Sequence, residues 1–210
     1  VFKVKRDTDD FVLVKSITYK CEDSDFNTQI TDYRGNVAYS SMIVKLCNHN
    51  PRSEFILQII ETELKEYNNQ QIMVLAHNKS LLTYLYNAIK ERNIASVGYY
   101  IGGMKEEALK KSENKDIIIA TYSMASEALD IKTLTTLILA TPKTDIEQAV
   151  GRILRVKHER PLVLDIVDTH DVYQRQWLKR KKFYVKNNYK IIKTNNINYI
   201  QNKWLDDHLP

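Results

Sequence analysis

Short apolar runs alternate with amphipathic segments from residue 70 to residue 170 of the chain. The runs consist mostly of consecutive large aliphatic residues, which is typical of strands buried on both faces. They lie at residues 72–76, 96–101, 117–120, 137–140 and 162–167. Helical spacing of apolar residues is found near 80–92 and 104–111. Strand and helix in turn predict right-handed crossovers and a mainly parallel sheet flanked by helices on both faces, which is an α/β fold.

The first seventy residues follow a less regular pattern. Apolar residues at 2–4 and 11–14 stand on either side of a polar turn, which predicts an N-terminal β-hairpin. The polar stretch 22–36 predicts a connecting loop, and the apolar residues within 42–47 predict a short helix. Asn50 followed by proline predicts the start of a longer helix, because proline suits the first helical turn.

These patterns divide the chain into an N-terminal hairpin and connecting segment (1–50), an α/β domain (51–170) and a C-terminal extension (171–210). The 210 residues are 43% hydrophobic and 27% charged, which excludes a disordered or fibrous protein. No run approaches the roughly 18 apolar residues of a membrane span, and residues 1–10 lack the apolar centre of a signal peptide. We therefore expect an intracellular, soluble protein with no membrane partner. Its two cysteines are expected to be free thiols.

Positive charge is concentrated in the C-terminal extension. Residues 171–210 contain nine Lys and Arg against three Asp and Glu, whereas residues 1–170 contain 22 against 23. This asymmetry predicts a polyanionic partner, and the alternative is a solvated helix end. Aromatic residues within 177–189 could stack on bases or pack the extension onto the body of the protein. The densest basic run consists of Lys179, Arg180, Lys181 and Lys182.

Several classes of site are excluded by the residues present. The sequence contains no G-x-x-x-x-G-K-[ST] phosphate loop, so the chain is not a complete nucleoside triphosphatase. Its five histidines do not follow a metal-ligand spacing, and no serine or cysteine occupies a nucleophile elbow. We predict no metal site and no acyl transfer.

The segment QAVGRILR at residues 148–155 carries the strongest signal of chemistry. Thr144 and Asp145 precede it and suit a helix start. At about 100° per residue, the apolar residues 146, 149, 150, 153 and 154 form one stripe. The opposite face brings together Gln148, Arg152 and Arg155.

Folding alone gives little reason for this arrangement. Two neighbouring arginines repel each other, and Gly151 lowers helix propensity by about 1 kcal/mol relative to alanine. A bound phosphate would account for both features, because guanidinium groups match phosphate oxygens and glycine lets another surface come close. The alternative is an exposed helix with surface arginines.

The pattern Q-x-x-G-R-x-x-R resembles motif VI of superfamily 2 helicases and translocases. Residues 119–131 are similar to motif V, with Ala128 in place of the usual glycine. Residues 72–80 are similar to motif IV, and residues 102–104 resemble the small loop after the next strand. The resemblance covers roughly residues 70–170 and implies that segment 51–170 is the second, C-terminal RecA-like domain of such a motor.

The resemblance also implies a partner domain and a nucleotide. The first RecA-like domain of the same polypeptide would hold most of the ATP and Mg²⁺, so the isolated chain is expected to be inactive in hydrolysis. Arg152 and Arg155 would act as arginine fingers on the γ-phosphate, and Gln148 would line the same cleft. The remaining nucleotide-side residues implied by the motifs are Asp130, Glu127 and Gly151.

The second implied ligand is nucleic acid. Thr121, Asn78, Lys79 and Gly103 would hold its backbone, together with the basic run of the extension. Gln148 and the apolar pair 153–154 resemble the duplex-DNA translocating branches, which favours DNA over RNA. The flanking elements resemble transcript-release helicases of large DNA viruses, which would place a viral protein in the host cytoplasm or the virion. The alternatives are a non-catalytic nucleic-acid-binding module with a RecA-like fold and a structural adaptor.

Overall fold

The computed structural model describes residues 12–127, 131–153 and 160–206, with the backbone alone at 126, 127, 152, 153 and 206. Within these ranges, no helix has the length and apolar character needed to cross a membrane. The strands are β1 (Leu13–Tyr19), β2 (Ile72–Ala76), β3 (Val97–Tyr100), β4 (Ile117–Thr121), β5 (Thr136–Leu139), β6 (Leu162–Asp168), β7 (Lys190–Asn195) and β8 (Leu205–Asp206). The helices are α1 (Ser24–Asn27), α2 (Tyr39–Cys47), α3 (Asn50–Glu66), α4 (Lys79–Glu91), α5 (Glu106–Ser112), α6 (Tyr122–Glu127), α7 (Glu147–Ile153), α8 (Asp171–Lys186) and α9 (Asn196–Ile200).

All these strands belong to one sheet with the order β3-β4-β2-β5-β6-β1-β7-β8. Every neighbouring pair is parallel except β7 and β8, which are antiparallel at the edge. Parallel neighbours need crossover connections, and helices supply them. The prediction of a mainly parallel, helix-covered RecA-like sheet is confirmed.

Two hydrophobic cores lie on the two faces of the sheet. One core packs beneath α2, α3 and α4, and the other packs beneath α6, α7 and α8. Strand β4 shows the alternation: Ile117 and Ile119 face the first core, whereas Ile118 and Ala120 face the second. Because both faces of the central strands are buried, their sequences are continuous apolar runs rather than alternating ones.

The predicted elements of the central region are confirmed within a few residues. The apolar run at 96–101 contains β3, and the helical patterns near 80–92 and 104–111 correspond to α4 and α5. Helix α3 begins at Asn50 as predicted, with proline in its first turn, although its N-cap is His49. The polar stretch 22–36 also contains the short helix α1.

The hairpin prediction needs correction for β1. Residues 2–4 lie outside the described residues, but β1 is paired in parallel with β6 on one edge and with β7 on the other. No edge of residues 13–19 is therefore left for an antiparallel partner. The alternating pattern of the first residues fits a central strand as well as a hairpin, and sequence pattern alone does not identify a strand's neighbours.

The C-terminal residues are part of the same sheet. Strand β7 pairs with β1, and α8 packs on the second core through Trp177 and Tyr184, which are both buried. This confirms the alternative that the aromatic residues pack the extension onto the body. Segments 1–50 and 171–210 thus contribute strands to the sheet built by segment 51–170.

Two buried arginine–aspartate pairs connect helices to β6. On one face, Arg52 of α3 donates from Nε and Nη2 to the two carboxylate oxygens of Asp168, both at 2.8 Å. On the other face, Arg180 of α8 makes the same bidentate contact with Asp165, also at 2.8 Å. The aspartates are three positions apart in a strand, so they point to opposite faces. Each pair holds one layer of helices against the sheet.

Candidate functional site

A cleft of about 740 Å³ opens at the carboxyl ends of β2, β3 and β4 and beside the loop that follows β5. This is the edge at which parallel α/β sheets bind their ligands. It lies between the turn before α4 and the exposed face of α7. The cleft is lined by His77, Lys79, Gly102, Thr121, Tyr122, Ser123, Lys143, Asp145, Gln148 and Ala149.

The cleft brings together three residues that the sequence analysis took from three separate motifs. Lys79, Thr121 and Gln148 all line it, although they are spread over 70 positions of the chain. Asn78 and Gly103 are sequence neighbours of lining residues. Gly103 has a φ of +87°, a backbone conformation that glycine adopts without strain.

Asn78 has a local role at the start of α4. Its side-chain oxygen accepts hydrogen bonds from the backbone N–H and the hydroxyl of Ser80, both at 2.7 Å. This makes Asn78 the N-cap of α4, which fixes the direction of the helix that begins with Lys79. A contact between Asn78 and nucleic acid stays a prediction.

The end of β4 supplies hydroxyl groups to the cleft. The Thr121 and Ser123 hydroxyl oxygens lie 3.2 Å apart. Between them Tyr122 is buried, and its hydroxyl donates to the Thr141 carbonyl at 2.6 Å. Burial raises the pKa of Tyr122 well above its ordinary value, so the phenol stays protonated as a donor. Thr121 is largely buried and Ser123 is exposed, but both line the cleft, so their hydroxyls can bind a phosphate oxygen without reading sequence.

His77 is a cleft residue that the sequence analysis missed. Its backbone N–H donates to the Thr141 hydroxyl oxygen at 3.0 Å, and its Nδ1 lies 2.9 Å from the same oxygen. Although His77 is an exposed residue overall, desolvation of its imidazole and the nearby Lys143 ammonium lower the pKa of His77 to about 4, so the imidazole is neutral at pH 7. The available signal was its position directly after a buried strand of a parallel sheet.

Helix α7 confirms the predicted helix start and the first three residues of the predicted apolar stripe, whereas the side chains of residues 153 and 154 are not described. The Asp145 carboxylate accepts from the backbone N–H of Glu147 at 3.1 Å, as expected of a capping residue. The buried residues of this stretch are Ile146, Ala149 and Val150. The exposed face contains Gln148 and Gly151. A Cβ atom on Gly151 would meet none of the described atoms within 4 Å, so packing among the described residues does not require glycine there.

Several predicted nucleotide-side groups fall outside the description. Asp130 and Arg155 lie outside the described residues, and the side chains of Glu127 and Arg152 are not described. Their roles stay predictions. Within the ranges that the structure covers, no group of three or more His, Cys, Asp or Glu side chains is placed to hold a metal ion.

The basic run of α8 separates into exposed and buried members. Lys179 and Lys182 are exposed, and Lys181 is partly buried. Arg180 is 1% exposed, because its guanidinium pairs with Asp165 in the core. The prediction that Arg180 contacts nucleic acid is therefore wrong. Its helical spacing from Trp177 and Tyr184, three before and four after, was the signal that places it on the buried face.

Known proteins similar to this chain are helicases. The helicase conserved C-terminal domain family matches residues 53–157. A protein of Acanthamoeba polyphaga mimivirus, provisionally named ATP-dependent RNA helicase L396, is 44% identical over 159 residues, which cover 73% of this chain and 30% of that protein. Protein QP509L of African swine fever virus (isolate Pig/Kenya/KEN-50/1950), with the same provisional name, is 30% identical over 132 residues, covering 58% and 26%. The chain thus spans less than a third of either relative.

Solved structures share the fold at lower sequence identity. T4 UvsW superimposes with a TM-score of 0.67 at 20% identity, over 89% of this chain and 42% of that one. The C-terminal domain of the DEAD-box protein Dbp5 gives 0.58 at 13% identity, over 91% and 94%. Because the family match covers half of the chain and the fold agrees with it, the chain belongs to the helicase conserved C-terminal domain family.

Proposed function

We propose that this chain is the second motor domain of an ATP-dependent superfamily 2 helicase or translocase, working with a first RecA-like domain in the same polypeptide. The observation that carries this proposal is the cleft, which places Lys79, Thr121 and Gln148 of three helicase motifs at one edge of the sheet. An ammonium, a hydroxyl and an amide around one open cleft can all bind phosphate oxygens, which suits a shared ligand better than a purely structural role.

On the nucleotide side, Arg152 and Arg155 serve as arginine fingers. They follow Gln148 by four and seven positions, and Gln148 and Gly151 are exposed on α7. Guanidinium groups stabilise the negative charge that develops on the γ-phosphate during transfer. No described atom lies within 4 Å of a Cβ at Gly151, which supports the approach of the first domain at this point. Asp130 and Glu127 complete the nucleotide side of the interface.

ATP and its Mg²⁺ are held mainly by the first domain. The sequence here contains no phosphate loop, so it lacks the set of backbone N–H groups that cradles a triphosphate. What the cleft offers is complementary: the ammonium groups of Lys79 and Lys143 and the amide of Gln148. These groups can add contacts to a phosphate that the first domain already binds, but they are too few to bind a triphosphate alone.

On the nucleic-acid side, Thr121, Lys79, Asn78 and Gly103 grip the phosphate backbone, and the exposed lysines of α8 add long-range attraction. The mimivirus and swine fever virus relatives carry the term RNA helicase in their names. That supports RNA ahead of the DNA that the form of motif VI favours. Whether the chain acts on RNA or on DNA is therefore tested by which of the two stimulates ATP hydrolysis, and not inferred from the form of motif VI.

The test compares this chain with a longer polypeptide that includes the first domain. We expect background phosphate release from the chain alone and nucleic-acid-stimulated release from the longer protein, measured with RNA and DNA oligonucleotides of equal length. Robust turnover by the chain alone would contradict the proposal. Nucleic-acid binding by the longer protein without any hydrolysis would instead identify a non-catalytic binding module.

A further inference from the structure

The loop between β5 and α7 is held by an unusual number of side chains. It forms one wall of the cleft, and each of its four consecutive residues from 141 to 144 accepts at least one hydrogen bond from elsewhere in the fold. Thr141 is bound from inside the cleft, through its carbonyl by Tyr122 and through its hydroxyl by the backbone of His77. Connecting segments are usually the mobile parts of a domain, and this one is fixed.

The other donors come from segments that lie outside the family match, which covers residues 53–157. From α2, the Tyr39 hydroxyl donates to the Pro142 carbonyl at 3.4 Å. From α8, Gln176 donates through Nε2 to the Thr144 hydroxyl at 3.1 Å and to the Tyr39 hydroxyl at 3.0 Å. Arg180, also from α8, donates through Nη1 to the Lys143 carbonyl at 2.6 Å.

Arg180 is an immobile donor because its remaining contacts are buried. Its Nε and Nη2 bind both oxygens of Asp165, and the Tyr184 hydroxyl donates to that carboxylate at 2.7 Å. These hydrogen bonds restrict the Arg180–Asp165 pair to a single geometry. The backbone of Lys143 is thereby tied to the core of the sheet.

The side chain of Lys143 lines the cleft, where an anion can reach it. Its ammonium lies 5.6 Å from the centroid of the Tyr122 ring, and His77 and Gln148 line the same cleft. None of the ion pairs formed within the described part of the chain involves Lys143. An ammonium with a fixed backbone in an open cleft is suited to a phosphate group.

We propose that Lys143 binds a phosphate group in the cleft, and that Gln176 and Arg180 of α8 are positioning residues that set its place. The inference rests on the proposed function, because the phosphate belongs either to a nucleic-acid backbone or to ATP. Helix α8 then has a task beyond covering the sheet. It fixes the wall of the cleft from outside the segment that the family shares.

Direct contact is tested with Lys143→Gln in the present chain. We expect its affinity for a labelled 20-nucleotide RNA or DNA to fall about tenfold, and the slope of log affinity against log salt to fall by about 0.7. Lys143→Arg should retain most of the affinity. The control is Lys90→Gln, in the last turn of α4 and so at the far end of that helix from the cleft, which should bind like the wild type.

A parallel titration of the longer protein, wild type and Lys143→Gln, with a fluorescent ATP analogue separates the two sources of phosphate, because the first domain is expected to hold most of the ATP. Loss confined to the oligonucleotide assigns Lys143 to the nucleic-acid backbone, and loss confined to the analogue assigns it to the nucleotide. Wild-type affinity of Lys143→Gln for both probes overturns the inference, as does a wild-type protein that binds neither. The proposed motor function is judged separately, by hydrolysis in the longer protein.

Positioning is tested with Gln176→Leu, and Gln174→Leu is its matched control. Like Gln176, Gln174 donates a hydrogen bond from α8 through Nε2, but its acceptor is the Asp168 carbonyl, at 2.8 Å, and not a residue of the cleft loop. We expect Gln176→Leu to weaken binding about threefold and Gln174→Leu to leave it unchanged, after thermal melting has shown both to be folded.

A double-mutant cycle gives the decisive readout. If Gln176 acts through Lys143, the double variant Lys143→Gln, Gln176→Leu should bind no more weakly than Lys143→Gln alone. If Gln176 only supports the fold, the two losses will add, and the positioning role is overturned. Equal effects of Gln176→Leu and Gln174→Leu would overturn it as well.

Discussion

The cleft and the two buried pairs on β6 use the same kinds of polar side chain in opposite ways. At β6, Arg52 and Arg180 each donate two hydrogen bonds to one buried carboxylate. In the cleft, Lys79, Lys143 and Gln148 face an open space of about 740 Å³. The difference shows that the two sets of side chains serve different ends: the arginines at β6 hold the fold, and the cleft residues remain available to a ligand.

This division makes the two regions separable by experiment. A buried charge that loses its partner is strongly unfavourable, so changes at β6 should act on stability. Exposed polar residues contribute little to stability, so changes at the cleft should act on ligands. Arg180 belongs to both regions, since it pairs with Asp165 and also donates to the cleft loop.

The largest effect is expected at the proposed arginine fingers. In the longer protein, Arg152→Ala or Arg155→Ala should lower kcat by a factor on the order of 10³, because the guanidinium acts on charge that develops in the transition state. Binding of ATP should change much less. Steady-state ATPase assays with RNA give both quantities, and Arg34→Ala, in an exposed loop, is the control. Unchanged kcat in both variants would make the exposed face of α7 an ordinary surface.

The second-largest effect is expected on stability, at the buried pair of Arg52 and Asp168. Arg52→Met should lower the free energy of unfolding by about 3–5 kcal/mol, because Asp168 would be left buried without its partner. The double variant Arg52→Met, Asp168→Leu should regain much of this loss, since it removes the orphaned charge. Urea denaturation of the present chain measures both. A loss below about 1 kcal/mol for Arg52→Met would remove the distinction between the two regions.

The basic run of α8 should affect binding without affecting the fold. Replacing Lys179, Lys181 and Lys182 with alanine, while Arg180 is retained, should reduce the salt slope for single-stranded nucleic acid by about 2. The loss should be the same for unrelated sequences, because phosphate contacts carry no sequence information. If the slope stays constant, the contact surface is confined to the cleft. Anisotropy titrations at several salt concentrations provide the slopes.

Gly151→Ala should raise the stability of the chain and lower the ATPase activity of the longer protein. The chain alone should gain up to about 1 kcal/mol in stability, because alanine favours the helix and its Cβ would contact none of the described residues. In the longer protein the same change should lower ATPase activity if another surface approaches this face of α7. Thermal melting and hydrolysis assays measure the two sides. A gain in stability with full activity would show that no surface comes close to Gly151.

The smallest expected effect is the pH response of His77. Its pKa in the folded chain is lowered to about 4 from 6.5, so between these values the unfolded chain binds the extra proton. Stability from this group is therefore present above pH 6.5 and is lost as the pH falls toward 4. His77→Gln should flatten the pH dependence of unfolding over that window. An unchanged profile would mean that His77 is as solvated as an ordinary surface histidine.

Much of the fold was predictable because its central strands are buried on both faces. In a chain of this composition, short continuous apolar runs such as those of β2 and β4 indicate strands of a parallel sheet that helices cover on both sides. The three motif residues of the cleft could also be predicted to converge, since the carboxyl ends of parallel strands meet at one edge.

The remaining features depend on contacts between distant parts of the chain. Arg180 belongs to a run of basic residues. Its spacing from Trp177 and Tyr184 places it on the buried face of α8, but its partner Asp165 lies on another element and is not evident from the sequence. Tyr39 and Gln176 look like ordinary helix residues until α2 and α8 meet beside the cleft loop. The pairing of β1 could not be predicted either, since nothing within residues 13–19 indicates that β6 and β7 are the neighbours of this strand.

The position of β1 also determines when the sheet can be completed. Leu13 pairs with Leu162 and with Lys190, partners that follow it by about 150 and about 180 residues. Contacts of such sequence separation close slowly. At about 5–20 residues per second, a ribosome needs on the order of 10 s to make the second partner after the first strand has emerged. During that interval the backbone N–H and C=O groups of β1 lack their sheet partners and its apolar side chains lack a core, which makes the nascent chain a natural client for chaperones.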